Sequence, residues 1–262
     1  MNSRFLFIGG TARSGTSILT EILTEDPSIC LGIERYNNLL SSRSFTPALF
    51  EYARFFAVTP GDTWYDSLSK FESHYQKVRK NFSSARYVGD KIPQLPRRLD
   101  YVLSNFPEAR IIITLRDIAS IARSYEARAD EGFHWDRNRR TVAAVQDWNQ
   151  MLQAVWRHLR DPRIHILCHE DTLESIEPLE AVFRFLEIKP APAVFSACHA
   201  AQAAWREKLA PRPLRFLDAQ ADDFIRQHAR FDLYQKVRAH ARSGSIFGRA
   251  QKLAGRIKRL VA

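Results

Sequence analysis

Residues 5–17 read FLFIGGTARSGTS, an apolar run that ends in glycine and passes into a polar loop. The run Phe5–Ile8 predicts a β-strand, and the periodic apolar side chains of residues 15–23 predict a helix. Gly10 and Gly15 have the GxxxxG spacing of loops that bind phosphate between a strand and a helix. Backbone N–H groups at such a helix N-terminus attract an anion. The stretch therefore predicts an anion site or, as the alternative, a tight glycine turn without a ligand.

Short apolar runs alternate with longer amphipathic segments along the rest of the chain. This pattern predicts further strands at residues 29–33, 87–88, 111–113 and 164–167, and helices at 118–127, 139–159 and 173–187. Strands and helices in alternation indicate a parallel sheet with right-handed crossovers. We therefore expect a P-loop-like α/β fold, with three αβα layers around a central parallel sheet.

The 262 residues contain no repeat, low-complexity stretch or linker rich in proline, glycine and serine. Residues 1–240 are therefore expected to form one α/β domain. Within it, the aromatic-rich segment 45–82 has a mostly helical pattern, which predicts an insertion or a lid. Helices are expected to fill most of the chain after residue 190.

The formal net charge is +10, which favours anionic partners. From Arg242 to the C-terminus, with Arg242 included, there are six basic residues and no acidic one, so the rest of the chain carries only about +4. Nucleic acid is a poor fit as a partner, because the basic residues are not interleaved with aromatic ones and no recognition motif occurs.

Residues 241–262 are predicted to form a basic amphipathic helix, since apolar residues recur at helical spacing from 245 to 262 among arginines and lysines. Such a helix either makes peripheral contact with an anionic membrane or packs its apolar stripe on protein. Three widely spaced cysteines favour a reducing compartment, and the apolar run at residues 5–8 is too short for a signal peptide or a membrane span. These observations predict a cytoplasmic protein.

The glycine loop departs from a Walker A motif at one position. Thr16 stands where Walker A has the lysine that contacts the β- and γ-phosphates, whereas Ser17 keeps the hydroxyl position. Arg13 supplies a cation from within the loop instead. Without the lysine, a kinase or an NTPase loses one of its main cations.

The sequence Arg13-Ser14-Gly15-Thr16-Ser17 resembles the 5'-phosphosulfate loop of sulfotransferases that use 3'-phosphoadenosine 5'-phosphosulfate (PAPS). The resemblance implies that these five residues bind the 5'-phosphosulfate of the donor and that no metal takes part. Fixed cations and dipoles are a physically reasonable substitute for magnesium, because a sulfonate in transfer has less charge than a phosphoryl group.

A second anion motif follows the predicted strand 111–113. Arg116 stands at the end of that strand, and Ser124 comes eight residues later in the predicted helix. This pair resembles the 3'-phosphate motif of the same family, with the arginine as a bidentate fork and the serine as a hydroxyl donor. The alternative is that Arg116 pairs with Asp117 and that Ser124 faces solvent.

Two further residues resemble the catalytic groups of sulfotransferases. Glu34 lies 21 residues after Arg13, the spacing of the catalytic glutamate in protein-tyrosine sulfotransferases. Other sulfotransferases use a histidine for this role, but no histidine occurs here before His74. Lys91, in Gly89-Asp90-Lys91-Ile92-Pro93, resembles the lysine of a Lys-x-Pro segment. The resemblance implies that Glu34 is the general base and that Lys91, together with Arg13, stabilises the leaving group. The alternatives are a surface Glu34 paired with Arg35 and a solvated loop lysine.

The back half of the chain resembles the family less closely. The segment His169-Glu170-Asp171-Thr172-Leu173 is similar to the family's YEDL region, with histidine at the tyrosine position. The glycine-rich RKG-type loop of cytosolic sulfotransferases does not occur, and Arg206, Lys208 and Arg212 are the candidates to replace it.

The resemblance implies transfer of a sulfonate from PAPS to a hydroxyl or an amine of a small-molecule, glycan or lipid acceptor, leaving 3'-phosphoadenosine 5'-phosphate (PAP). One alternative is a degenerate P-loop kinase or NTPase, for which Asp117 is the nearest candidate magnesium ligand. Another is a non-catalytic anion-binding protein of the same fold. The sequence indicates neither the acceptor nor the oligomeric state.

Overall fold

The computed structural model describes residues 4–132, 135–209 and 217–243, without the side chains of residues 208 and 209. Five parallel strands form one sheet in the order β2-β3-β1-β4-β5. They are β1 Arg4–Gly10, β2 Ile29–Ile33, β3 Tyr87–Lys91, β4 Arg110–Leu115 and β5 Ile164–Cys168. The predicted α/β fold with a central parallel sheet is therefore confirmed.

Helices flank the sheet. They are α1 Thr16–Leu23, α2 Asn37–Ser41, α3 Tyr52–Phe56, α4 Glu72–Asn81, α5 Leu99–Asn105, α6 Ile118–Glu131, α7 Thr141–Arg157, α8 His169–Glu174, α9 Glu177–Leu186, α10 Pro192–Leu209, α11 Ala219–His228 and α12 Phe231–Ser243. Alternate strand residues belong to two separate cores: Phe7 packs with α5, α6 and α7, whereas Leu6 and Ile8 pack with α1, α9 and α10. This alternation produces three layers.

Two elements differ from their predicted bounds. Strand β3 extends through Lys91 instead of ending at residue 88, so Lys91 lies in the sheet and not in a loop. The predicted helix 173–187 is interrupted, because Ser175 is extended and a new helix, α9, begins at Glu177 with Pro178 in its first turn. Proline is favourable in the first turn of a helix, where its missing N–H would have no partner.

The segment 45–82 contains α3, α4 and two 3-10 turns, and it is only partly helical. Its aromatic side chains build much of the core on one face of the sheet. Phe45 and Phe50 lie against Phe7 of β1, with ring centroids 5.2 and 5.6 Å apart. The aromatic richness of the segment is therefore explained by packing, since each buried ring contributes a large apolar area.

A buried ion pair anchors this segment to the sheet. Arg35, in the turn after β2, is fully buried, and its guanidinium donates to Asp62 Oδ2 at 2.8 Å. The same guanidinium donates to the backbone carbonyls of Phe55 and Ala57. Arg54 forms a second ion pair with Asp62. The turn after β2 and the segment 45–82 are thereby held together.

Replacing Asp62 by alanine is expected to lower the free energy of unfolding by about 3–5 kcal/mol, because it leaves the buried Arg35 charge without its partner. Urea unfolding followed by circular dichroism measures the change. The matched control is Asp222→Ala, which removes an exposed ion pair with Arg226 and should cost no more than about 1 kcal/mol. Equal losses in the two variants would contradict an anchoring role for the buried pair.

Of the amphipathic helix predicted at 241–262, residues 241–243 are the end of α12, and the rest, which includes 245–262, lies outside the described residues. Within residues 4–132, 135–209 and 217–243, no helix combines the length and the apolar character that crossing a bilayer requires.

Candidate functional site

The loop between β1 and α1 lies at the carboxyl edge of the sheet, the edge where all five parallel strands end. Gly15 is the N-cap residue of α1 and has a φ of 93°. A Cβ atom at Gly15 would lie 2.4 Å from Nδ1 of His169, so both the backbone conformation and the close packing require glycine. Since Gly15 has no side chain to cap the helix, the first N–H groups of α1 face the loop.

The predicted loop residues have different surroundings. Ser14 is buried, and its hydroxyl shares a hydrogen bond of 2.6 Å with Thr114 Oγ1 of β4. Thr16 is also buried, whereas Arg13 and Ser17 are exposed. Arg13 has a φ of 70°, a left-handed conformation that is uncommon for a residue other than glycine. The loop therefore keeps Ser14 and Thr16 inside and presents Arg13 at its surface.

The two predicted anion motifs form one continuous surface. Arg13 Nε donates to Ser124 Oγ of α6 at 2.8 Å. Arg116, just after β4, donates from its guanidinium to the carbonyl of Arg13 at 3.0 Å. These contacts join the loop after β1 to the end of β4 and the second turn of α6. Arg116 and Ser124 therefore lie beside the loop, and their binding of a 3'-phosphate stays a prediction.

This surface is electrostatically suited to an anion. Neither Arg13 nor Arg116 has a carboxylate within ion-pair distance in the described part of the chain. Partial desolvation, together with the neighbouring cations Arg128 and Arg116, lowers the pKa of Arg13. Desolvation also lowers the pKa of Arg116. The attraction of a bound anion would offset the desolvation and the mutual repulsion of these cations.

Glu34 and Lys91 form an ion pair at the same edge. Glu34 directly follows β2, and Lys91 ends the neighbouring strand β3. Lys91 Nζ donates to Glu34 Oε1 at 2.8 Å, and the lysine is buried, whereas the Glu34 side chain remains 24% exposed. The alternatives of a Glu34 paired with Arg35 and of a solvated loop Lys91 are therefore wrong. Arg35 pairs with Asp62 instead.

A residue that the sequence did not single out completes this pair. Trp64, in the segment 45–82, donates from Nε1 to Glu34 Oε2 at 3.0 Å. Lys70 Nζ lies over the Trp64 ring, 4.1 Å from its centroid. The aromatic content of the segment drew attention to it, but nothing in the local sequence indicated that Trp64 reaches Glu34. Both carboxylate oxygens of Glu34 thus accept a hydrogen bond.

The strand order sets these groups side by side. Strand β1 lies between β3 and β4, and β2 is on the far side of β3. Along the carboxyl edge, the sequence of groups is therefore Glu34, Lys91, the loop after β1, and Arg116 with Ser124. Ligands of open parallel sheets bind at this edge. The structure thus assembles all of the predicted site residues along one edge.

Two neighbouring side chains have structural partners. Asp117, the candidate magnesium ligand of a kinase, is the N-cap of α6, and its carboxylate accepts the N–H of Ser120 at 2.7 Å. His169 packs under the loop, and burial lowers its pKa to about 4, so it is neutral at pH 7. Of the proposed substitutes for an RKG-type loop, Arg206 is exposed on α10. Arg212 and the side chain of Lys208 lie outside the described residues.

Comparisons with known proteins agree with the fold. The sequence profile of the Sulfotransferase family matches residues 6–193. The sulfotransferase domain of the Synechococcus PCC 7002 olefin synthase superimposes with a TM-score of 0.52 at 15% identity, covering 92% of this chain and 94% of that one. The sulfotransferase domain of the curacin biosynthetic pathway gives 0.50 at 16% identity, covering 87% and 97%. A mouse sulfotransferase complexed with PAP gives 0.52 at 12% identity, covering 92% and 90%. Among curated proteins, none matches this chain.

The solved structures share the fold at low sequence identity, and the profile match rests on the sequence itself. The profile match begins in β1 and extends past α9, so it includes the glycine loop, Glu34, Lys91 and the Arg116 motif. A match over this much of the chain does not depend on any single motif. The chain therefore belongs to the sulfotransferase family.

Proposed function

We propose that this protein transfers a sulfonate from PAPS to a hydroxyl or an amine of a small-molecule, glycan or lipid acceptor. The observation that supports this most directly is the order of groups along the carboxyl edge. A carboxylate and a buried lysine lie at one end, and Arg116 lies at the other. The glycine loop with Arg13 lies between them, and neither arginine has a carboxylate partner in the described part of the chain.

The residues at this edge fit the two anionic groups of PAPS. The loop from Arg13 to Ser17 offers the N-terminal N–H groups of α1, hydroxyls and a guanidinium to the 5'-phosphosulfate. Arg116 and Ser124, one strand further along, offer a bidentate fork and a hydroxyl to the 3'-phosphate. The hydrogen bond from Arg13 to Ser124 makes the two subsites contiguous, as a single nucleotide with both groups requires.

In the proposed reaction PAPS supplies a sulfonate activated by its bond to phosphate. Glu34 takes a proton from the hydroxyl or amine of the acceptor, whose oxygen or nitrogen forms a bond to sulfur. At the same time the bond between sulfur and the bridging oxygen of the phosphate breaks. Lys91 has three N–H donors, of which one is on Glu34, so it can also donate to the departing phosphate oxygen. Arg13, in the glycine loop, adds a second positive charge that favours the departing oxygen. The products are the sulfated acceptor and PAP.

Binding of PAP is the first test of the proposal. In calorimetry without magnesium, Arg13→Ala and Arg116→Ala are each expected to weaken PAP binding by about 10- to 150-fold, equivalent to about 1.5–3 kcal/mol for a charged hydrogen bond. Arg184→Ala is the control, because Arg184 lies exposed on α9 and pairs only loosely with Glu180, at 3.8 Å. Its affinity for PAP should remain within about twofold of wild type.

The opposite result is equally informative. A wild-type protein that fails to bind PAP but binds ATP in the presence of magnesium would reject PAPS as the donor and favour a kinase. PAP binding that does not change in either the Arg13 or the Arg116 variant would show that the nucleotide lies elsewhere.

A further inference from the structure

Asp90 is a fully buried carboxylate next to the proposed catalytic pair. It lies in β3, one residue before Lys91, and its side chain is 0% exposed. Its Oδ1 accepts the backbone N–H of Arg35 at 3.1 Å, and its Oδ2 accepts that of Tyr36 at 2.9 Å. Arg35 and Tyr36 are the two residues that follow Glu34. Asp90 therefore bonds to the turn that contains the proposed base and not to the base itself.

That turn has an unfavourable backbone conformation. Glu34 has a φ of 52°, in the left-handed region that costs a residue other than glycine roughly 1–2 kcal/mol. Such a conformation persists only where the surrounding structure over-determines it. The N–H of Glu34 donates to the carbonyl of Lys91 at 2.8 Å, and the Thr63 hydroxyl donates to the carbonyl of Glu34 at 2.5 Å. Asp90 accepts hydrogen bonds from the next two backbone N–H groups, those of Arg35 and Tyr36.

Gly32 provides the space for this contact. A Cβ atom at Gly32 would lie 2.8 Å from Asp90 Oδ1 and 2.9 Å from the Cβ of Arg35. Any side chain at this position would push the carboxylate away from the turn. The position of the Asp90 carboxylate in β3 therefore depends on glycine at position 32 in β2.

Burial of this carboxylate has a cost. Desolvation raises the pKa of Asp90 to about 7, although the N–H donors of Arg35 and Tyr36 and the charges of Lys91 and Arg35 oppose the shift. The side chains of Tyr36, Tyr65 and Tyr75 also lie close enough to interact with its charge, and all three remain neutral at pH 7, because burial raises their pKa values. Asp90 thus changes charge near neutral pH beside tyrosines that stay neutral.

We propose that Asp90 is a positioning residue: its two carboxylate oxygens hold the turn after β2 so that the side chain of Glu34 stays beside Lys91 in the geometry needed for proton transfer. This inference rests on the proposed function of Glu34 as the base. A carboxylate suits the role better than an amide, since both of its oxygens accept. In asparagine one of them is replaced by an NH₂ group, which would face an N–H donor.

Asp90→Asn tests the inference, because a positioning role should affect turnover of PAPS and leave nucleotide binding unchanged. Release of PAP from PAPS, with water as the acceptor, is followed at saturating PAPS, so that no other acceptor has to be known. We expect kcat to fall by about 10- to 100-fold, because a misplacement of the order of 1 Å is enough for such a loss. The KM for PAPS and the calorimetric Kd for PAP should stay within about twofold of wild type.

Asp26→Asn is the matched control. Asp26 is also a buried aspartate that accepts two backbone N–H groups, those of Ser28 and Ala191, at 2.9 and 2.8 Å. It precedes β2, at the opposite edge of the sheet from the site. Both substitutions should reduce the melting temperature, but Asp26→Asn should leave kcat within about twofold. A second variant, Gly32→Ala, displaces the Asp90 carboxylate without removing it and should also lower kcat with little effect on PAP affinity.

The pH dependence provides a readout that a purely structural role would not change. Wild-type kcat should rise as pH increases through about 7, where Asp90 ionises, and Asp90→Asn should lose this step. Equal kcat losses in Asp90→Asn and Asp26→Asn, or a wild-type step near pH 7 that persists in Asp90→Asn, would overturn the inference and leave the proposed function intact. A wild-type protein that neither binds PAP nor releases it from PAPS would overturn both.

Discussion

Replacing Glu34 by glutamine is expected to lower the rate of PAP release from PAPS by about 10²- to 10⁴-fold, the usual contribution of a general base. Glutamine has nearly the size of glutamate and keeps one oxygen that accepts from either Trp64 or Lys91, but it cannot take a proton from the attacking group. The affinity for PAP should change by no more than about twofold. Initial rates at saturating PAPS, together with calorimetry for PAP, measure the two effects separately.

The control for this substitution is Glu25→Gln. Glu25 forms a surface ion pair with Lys77, so its replacement also removes a glutamate–lysine contact, but away from the carboxyl edge. Its rate should remain within about twofold of wild type. If Glu34→Gln turned over PAPS as fast as wild type, Glu34 would not be the base, and the ion pair with Lys91 would have a structural role only.

Replacing Lys91 by methionine is expected to lower the same rate by about 10²- to 10³-fold, the typical effect of removing one donor to a developing negative charge. Methionine fills most of the buried space of the lysine stem, so packing is largely preserved. The Glu34 carboxylate loses its charged partner but is 24% exposed, which lets water replace the lysine. Stopped-flow or quenched-flow measurement of PAP formation from saturating PAPS checks the prediction.

The double variant Glu34→Gln/Lys91→Met sharpens this test. If both groups act on the same transfer step, the double variant should lose less than the product of the two single losses, because groups that act as a unit are not additive. Lys77→Met is the control for loss of a lysine, because Lys77 forms the surface ion pair with Glu25. This variant should leave the rate of PAP formation unchanged. Strictly multiplicative losses would indicate that Glu34 and Lys91 act independently, against the proposed mechanism.

The features that sequence analysis found are those with local signals. The glycine spacing in residues 10–15 and the apolar run before it are close in the chain, and together they predicted the loop and its helix. The isoleucines at 111–113 indicated a buried strand, because a strand covered on both faces is apolar throughout. Arg116 and Ser124 were then located relative to that strand. These parts of the site depend on short stretches of sequence.

The features that it missed depend on partners distant in the chain. Gly89, Asp90 and Lys91 look like a polar loop, yet they lie inside β3. A side chain at Gly89 would collide with the carbonyl of Leu6. The turn that contains Glu34 supplies two N–H donors to Asp90 and a carboxylate to Lys91. A polar residue is accepted in a buried strand when tertiary contacts satisfy its hydrogen bonds. No local pattern reveals such partners.

The hydrogen bond between Trp64 and Glu34 has a consequence for any attempt to recombine this protein with its relatives. The segment 45–82 leaves the sheet, builds part of the core and returns to the proposed base. A chimera that imported this segment from another family member would inherit that protein's donor to the glutamate, or none. Exchanging the segment therefore also changes the hydrogen bond that orients the base. The core packing of the segment and the orientation of Glu34 cannot be altered separately by such an exchange.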